Sequence, residues 1–187
     1  MAVYTKINKK DLLYINKKFN DERFLSFKGI KQGIENTNYL LKSKNKKYIL
    51  TIFEKRVSKK EIPFFMELMD ELNTSKLNCP KPLKNKDGKY LINLKNKTAC
   101  IVSFLQGKDK KNLNTKNCYD VGRVIAQMHL HTQKIKLFRK NSMGVKNLNP
   151  LLKSKKFKSK KFTNIDKFLK INFDNIKKNG QRNFLVE

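Results

Sequence analysis

Several features are scarce in this 187-residue chain, and each scarcity removes a class of protein. No apolar run approaches the roughly 20 residues that cross a bilayer as a helix. The first residues, "MAVYTKINKKDLL", lack the apolar stretch of a signal peptide. The chain therefore reads as cytoplasmic, with no membrane partner. Cysteine is limited to Cys79, Cys100 and Cys118, an odd number without CxxC spacing, so the three read as reduced and structural, with no metal bound. Arginine is scarce too. Of 44 basic residues only Arg23, Arg56, Arg123, Arg139 and Arg182 are arginine, although base-edge readout and bidentate phosphate clamps favour the guanidinium fork. The net charge of +29 comes from lysines scattered through every segment beside an excess of Asn, Ile and Phe. A bias toward A- and T-rich codons explains that pattern, so no specific nucleic acid partner is expected, although such a field attracts polyanions non-specifically.

With 39% hydrophobic residues the chain can build a conventional core, and a globule of this length buries roughly 70% of its unfolded surface. "INKKDLLYINKKF" places Leu12, Leu13, Ile15 and Phe19 on a helical face, with Asn8 as N-cap and Asp11 three residues on. "RFLSFKGI", "NTNYLLKS" and "KYILTIFE" read as strands separated by turn-rich "KQGIE" and "KNK". The third is apolar on both faces and belongs in the middle of a sheet. "SKKE", Ser58 to Glu61, is a capping box, followed at helical spacing by Phe64, Phe65, Leu68, Met69 and Leu72. "NKDGKYLINL" and "TACIVSFL" supply two more strands. The order predicts an α+β lobe: a five-stranded antiparallel sheet with one packed helix over residues 1–105, in which Ile49, Leu50, Ile52, Phe53, Phe64, Leu68, Leu72, Ile101, Val102 and Phe104 are largely buried. A hinge or linker at 106–115 follows. Helices then dominate 116–187, beginning with "CYDVGRVIAQMHLHT", where Val121, Ile125 and Met128 share a face, and later "TNIDKFLKINFDNIKK". "KSKKFKSKK" reads as a solvated charge run.

A small antiparallel lobe joined by a short connector to helices is the protein-kinase layout, with nucleotide in the cleft beneath the first hairpin. More specific are "LSFKGIKQGIENTNYLL", "YILTIFEKRV", "IPFFMELMDEL", "CPKPLKNKDGK", "ACIVSFLQG" and "VGRVIAQMHL". Together, from Met1 to about Gly144, they strongly resemble the homoserine kinase family of bacterial threonine biosynthesis, within the aminoglycoside phosphotransferase and choline kinase superfamily. The resemblance implies a kinase-like N-lobe followed by the first helices of an incomplete helical C-lobe. It also implies ATP and Mg2+ in the full-length enzyme, and homoserine as the phosphate acceptor. Another small amino alcohol is the alternative acceptor, and a basic nucleic-acid-associated module the alternative outside enzymes.

The resemblance also implies a nucleotide site. Gly29 and Gly33, spaced Gly-x-x-x-Gly, would permit turns of positive φ and close backbone approach to phosphates. Asn36 opens the return strand, where it would reach the ligand. Many relatives carry a phosphate-gripping lysine or arginine at the position of Thr51, and a partner glutamate near Phe65. Both are missing here, so Lys55 and Arg56 are the candidate cations, with Glu61 one turn before Phe65. Ser103, Phe104 and Leu105 would offer backbone to adenine, and Gly107 would turn the chain into the second lobe. Arg139 and Asn141 of "FRKNSMG" would face substrate or phosphate. His129 and His131 lack acid or cysteine partners, and His129 is expected to pack at a lobe junction without a catalytic role.

The superfamily's His-x-Asp loop, its following asparagine and its metal-binding aspartate have no counterpart in these residues, because His131 is followed by "TQK". No catalytic residue or metal ligand is therefore assigned, and the chain is expected to stop short of the catalytic loop and to be inactive alone. The tail "GQRNFLVE", 180–187, does not resemble the family. If a run "WPKKFPSG" is written with the codons TGG CCA AAG AAA TTT CCT AGT GGA, a frame slipped by one nucleotide near Asn179 reads it as this tail residue for residue, so a non-native, frameshifted tail is expected.

Overall fold

The computed structural model of the chain describes residues 3–19, 22–54, 58–75 and 77–140. The expectations for Lys55, Arg56, Asn141, the second C-terminal helix, the lysine run and the 180–187 tail lie outside the described residues. A compact unit spans Met1–Arg139, and a second unit spans Lys140–Glu187.

The element order is α1 (Lys9–Lys18), β1 (Ser26–Gly29), β2 (Thr37–Lys42), β3 (Lys47–Ile52), α2 (Ile62–Thr74), β4 (Leu91–Leu94), β5 (Lys97–Ser103) and α3 (Thr115–Thr132). Asn8 caps α1 as its sequence requires: its side chain accepts from the Asp11 amide at 3.1 Å while Asp11 accepts from the Asn8 amide at 2.7 Å. The strands form one antiparallel sheet in the order β1-β2-β3-β5-β4, so the doubly apolar β3 is indeed central. The β4–β5 turn uses Lys95 and Asn96, both at positive φ (53° and 61°), the geometry of a tight hairpin.

Side chains alternate across a sheet, and the two faces are covered by different helices. On one face Leu41, Leu50, Ile52, Ala99 and Ile101 meet Ile15 of α1, Phe19 at its C-cap and Phe24. On the other, Ile62 and Met66 of α2 pack with Cys100. Asn16 fixes α1 to the chain before β1, donating to the Phe24 carbonyl at 2.9 Å and accepting from its amide at 2.8 Å.

Several expectations change. Ser58 to Glu61 forms a turn, with the Glu61 amide donating to the Ser58 carbonyl at 2.9 Å. The helix begins at Ile62, and Glu61, the N-cap, makes no side-chain cap bond. Pro63, tolerated within the first turn, replaces the capping box as the start signal. That start rotates the buried stripe to Ile62, Met66 and Leu72, leaving Phe64 and Leu68 half-buried. Ile49, Phe53 and Val102 are also half-buried, and Phe104 is 36% exposed because the chain leaves the sheet there. Residues 104–114 carry no helix or strand. The compact unit continues through this stretch to Arg139. α3 starts at Thr115 behind a reciprocal Asn114–Asn117 cap and buries none of its residues.

Candidate functional site

Strand register assembles the candidate site on the α2 face. Asn38 pairs with Thr51 and Thr51 with Cys100; one step along, Leu40 pairs with Ile49 and Ile49 with Val102. The first row is polar and closed: Thr51 Oγ1 donates to Asn38 Oδ1 at 2.8 Å, and Cys100 lies beneath α2. Burial pushes the Cys100 thiol up to about 12, against a hydrogen bond with the Thr51 backbone that lowers it, so this thiol stays protonated and inert. In the second row Leu40, Ile49 and Val102 are only half-buried, an apolar strip that leads to the end of β5.

At that end the chain leaves the sheet through Ser103 to Gly107. The Ser103 amide donates to the Lys81 carbonyl at 2.8 Å and the Phe104 amide to the Lys47 carbonyl at 3.1 Å. Ser103 Oγ accepts from the Lys81 amide at 2.8 Å. Two of the amides anticipated for a planar ligand are thus engaged within the fold, and Leu105 is the first of the three whose amide makes no backbone hydrogen bond among the described residues. Gly107 has open space around its α-carbon.

The β1–β2 loop joins the sheet next to the Asn38–Thr51 row. Gly33 lies at φ 117°, a conformation closed to most side chains. Gly29 differs from expectation: it sits within β1 without positive φ, and what excludes a side chain is Val3, whose Cγ2 would lie 3.1 Å from an added Cβ. Asn36 Oδ1 accepts from the Glu54 amide at 3.4 Å, joining the start of β2 to the end of β3.

Two ion pairs missed by sequence reasoning flank this region. Glu54 pairs with Lys97 and accepts from Thr37 Oγ1 at 2.6 Å and Thr5 Oγ1 at 2.8 Å. Burial raises the Glu54 pKa, but hydrogen bonds from Lys97, Thr37 and Thr5 and the Lys97 charge outweigh it and hold the carboxyl below its ordinary value. Glu61 pairs with Arg139 at 2.9 Å, and the Arg139 guanidinium lies 5.1 Å from the centre of the Phe65 ring. Glu61, the glutamate one turn before Phe65, is thus paired with a cation from beyond α3 and not from β3. The alternation of Val3, Thr5 and Ile7 was the available signal for a segment reaching Thr37 and Glu54; nothing local in the sequence joins Glu61 to Arg139.

A cavity of about 770 Å³ also borders the hinge, lined by Ser103, Phe104 and Gln106. Its other walls include Phe19 and Tyr48 of the α1 face, Glu22, Asp70 of α2 and the 81–84 segment. Its wall at Pro82 bridges Val102, while Leu40, Ile49 and Val102 themselves are brought together by strand register. Burial and then the hydrogen bond to Glu22 push the Tyr48 hydroxyl pKa up. His129 is exposed and His131 half-buried, so His129 does not fill a packed junction among the described residues. Among those residues no three His, Cys, Asp or Glu side chains converge as a metal site.

Comparison with known proteins gives the family and the fold. A model of the phosphotransferase enzyme family matches residues 26–156. Homoserine kinase of Rhizobium etli is 41% identical over 145 residues, 78% of this chain and 45% of that protein. Homoserine kinase of Parvibaculum lavamentivorans is 38% identical over 154 residues, 82% of this chain and 48% of that protein. The chain therefore spans about half the length of the curated relatives it matches. Spectinomycin phosphotransferase in complex with ADP and spectinomycin shares the fold at a TM-score of 0.57 with 16% identity, over 93% of this chain and 56% of that one. A microcompartment-associated aminopropanol kinase also gives a TM-score of 0.57 at 16% identity, over 75% of this chain and 47% of that one.

Proposed function

Because this chain belongs to the phosphotransferase enzyme family, we propose that it is the nucleotide-binding part of an ATP-dependent homoserine kinase. That enzyme passes the γ-phosphate of ATP to the side-chain hydroxyl of L-homoserine, giving O-phospho-L-homoserine for threonine biosynthesis. The observation that carries the nucleotide reading is the half-buried strip Leu40, Ile49 and Val102 ending at the hinge. An apolar strip beside unpaired backbone suits a planar purine, which needs stacking on its faces and a donor and acceptor on its edge. The Leu105 amide and neighbouring carbonyls are the edge contacts, with Ser103 and Phe104 holding the hinge in place. Gly107 allows the exit. The loop through Gly29, Gly33 and Asn36 covers the phosphates. The acceptor assignment draws on the relatives named homoserine kinase.

Lys55 remains the proposed phosphate cation from its position past β3, and Arg139 with Asn141 are proposed on the acceptor side. Arg139 reaches that role by leaving or sharing Glu61. Magnesium, the second cofactor proposed for the full-length enzyme, is given no ligand in this chain, where no three metal-ligating side chains converge among the described residues; the steps assigned to this chain are binding and orienting nucleotide. No His-x-Asp sequence occurs in the 187 residues, so the group that would take the acceptor proton is not assigned.

The test is competition on the 187-residue chain: a fluorescent ATP analogue should be displaced by ATP and ADP and, more weakly, by adenosine. Failure of all three to displace it would remove the nucleotide reading. Radiolabelled ATP with L-homoserine should give no phosphohomoserine above a buffer control, because base and charge stabilisation together supply many powers of ten. Turnover by the purified chain would contradict this division of labour.

A further inference from the structure

The segment before α1 is not a loose leader. Val3 to Ile7 is tied to β2 through a bend at Thr5, with Thr5 and Ile7 buried and Tyr4 and Lys6 exposed. Its polar groups converge on the root of the Gly33 loop: the amides of Tyr4 and Thr5 both donate to Thr37 Oγ1, at 2.9 and 3.1 Å. Thr37 Oγ1 in turn donates to Glu54 at 2.6 Å, and Lys97 reaches both Glu54 and Thr5 Oγ1. Tyr39 Oη donates to the Thr5 carbonyl at 2.9 Å and accepts from the Ile7 amide at 3.1 Å. Every partner in this network is held by another, so the segment is fixed relative to β2.

From that fixed segment Tyr4 reaches out. Its ring is 57% exposed and fills no core, yet its hydroxyl donates to the carbonyl of Ile34 at 2.9 Å, inside the exposed run Lys31–Glu35. Val3 meanwhile lies against Gly29, at the start of the same loop. An exposed aromatic whose hydroxyl holds a loop carbonyl contributes little to core packing; its geometry fits holding the loop in one position relative to β2.

We infer that Val3–Ile7 is a clasp that positions the Gly29–Asn36 loop for a nucleoside triphosphate, with Tyr4 as the tether and Thr37 as the pin. This rests on the nucleotide reading above. Tyr4 and Thr37 are positioning residues: neither need touch the ligand. A loop held in its bound conformation loses less freedom when phosphates arrive, so the clasp raises affinity for the phosphate chain and leaves the adenine contacts alone.

Tyr4→Phe removes the hydroxyl alone, Thr37→Val removes the pin, and Thr37→Ser keeps it. In the ligand-free 187-residue chain, amide hydrogen exchange across the loop and its root, 30–38, where the Ile30 amide donates to the Asn38 carbonyl, should rise about three- to tenfold in Tyr4→Phe and Thr37→Val, the range one hydrogen bond spans. It should stay near wild type in Thr37→Ser. ATP affinity should fall by a similar factor in the first two variants while adenosine affinity holds. Unchanged loop exchange in Tyr4→Phe overturns the tether, whether or not Thr37→Val remains folded. Equal losses for ATP and adenosine overturn the phosphate role and leave a structural one. A wild-type chain that binds neither ATP nor adenosine defeats the nucleotide reading and the phosphate role with it, while the exchange data still decide the tether.

Discussion

The two faces of the sheet are made by the same strands and do different work. Beneath α1, Ile15, Leu41, Leu50, Ile52, Ala99 and Ile101 are completely buried and the cluster continues through Phe24 and Tyr39. Beneath α2 the buried nucleus is Ile62, Met66 and Cys100, ringed by half-buried Phe53, Phe65, Met69 and Val102, with the Thr51–Asn38 hydrogen bond beside it. A closed apolar layer stabilises the fold through burial and dense packing. A half-closed one gives up some of that stabilisation and keeps surface for a ligand. Along β3 the two roles alternate residue by residue: Leu50 and Ile52 belong to the first face, Ile49 and Thr51 to the second.

The sharpest way to break this contrast is to cut one residue from each face. Leu50→Ala should cost about 2–5 kcal/mol in urea unfolding, the range for a large-to-small change in a sealed core. Ile49→Ala, its neighbour, should cost roughly half that or less and weaken ATP and adenosine alike, because it lines the strip and not the phosphate end. Equal losses of stability at both positions would erase the distinction between the faces.

Acid should act on the carboxylates at the margins of the sheet before it reaches either apolar layer. Glu54 and Glu22 are both held below the ordinary carboxylate value, burial notwithstanding, by hydrogen bonds from Lys97, Thr37 and Thr5 in one case and from Tyr48, Lys46 and Ser43 in the other. A depressed folded pKa means the unfolded chain binds protons first, so their stabilisation is complete above the ordinary carboxylate value and is lost as pH falls through the lower folded values. Glu54→Gln should lower stability at neutral pH and flatten the decline in acid, read by melting temperature between pH 7 and pH 3. An unchanged acid slope in that variant would assign the sensitivity elsewhere.

The smallest effect is expected at the Glu61–Arg139 pair, whose side chains are 35% and 27% exposed. Arg139→Ala should cost no more than about 1 kcal/mol, the usual worth of a solvent-screened pair, with a small addition for the stack on Phe65. A larger loss, measured by urea titration, would mean that this contact organises the start of α2.

Legibility in the sequence followed the range of the interaction. Asn8 and Asp11 lie three residues apart and fix the start of α1 between themselves, so the cap could be read directly. The doubly apolar "YILTIF" could be read as central because burial on both faces leaves that mark in any sequence. Ser58 misled, because a side chain with capping chemistry was placed in a turn by Pro63 and the packing of Ile62. Phe104 misled because hydrophobicity does not record where a strand leaves its sheet. At the candidate site Gly33 announced its turn, whereas the Leu40–Ile49–Val102 strip existed only once two strand pairings were in register.

Composition, periodicity and the two-glycine hairpin by themselves determined that these residues form a five-stranded antiparallel sheet with helices around it, since side-chain alternation, helical spacing and turn chemistry act over a few residues. Only the tertiary structure decided that α1 seals one face and α2 half-covers the other. It also decided that Glu54 meets Lys97 and Glu61 meets Arg139, and that Tyr4 reaches the carbonyl of Ile34. These contacts join residues 30 to 78 positions apart. Such pairs are selected by the closed geometry of the whole lobe, a term that no local window of sequence contains.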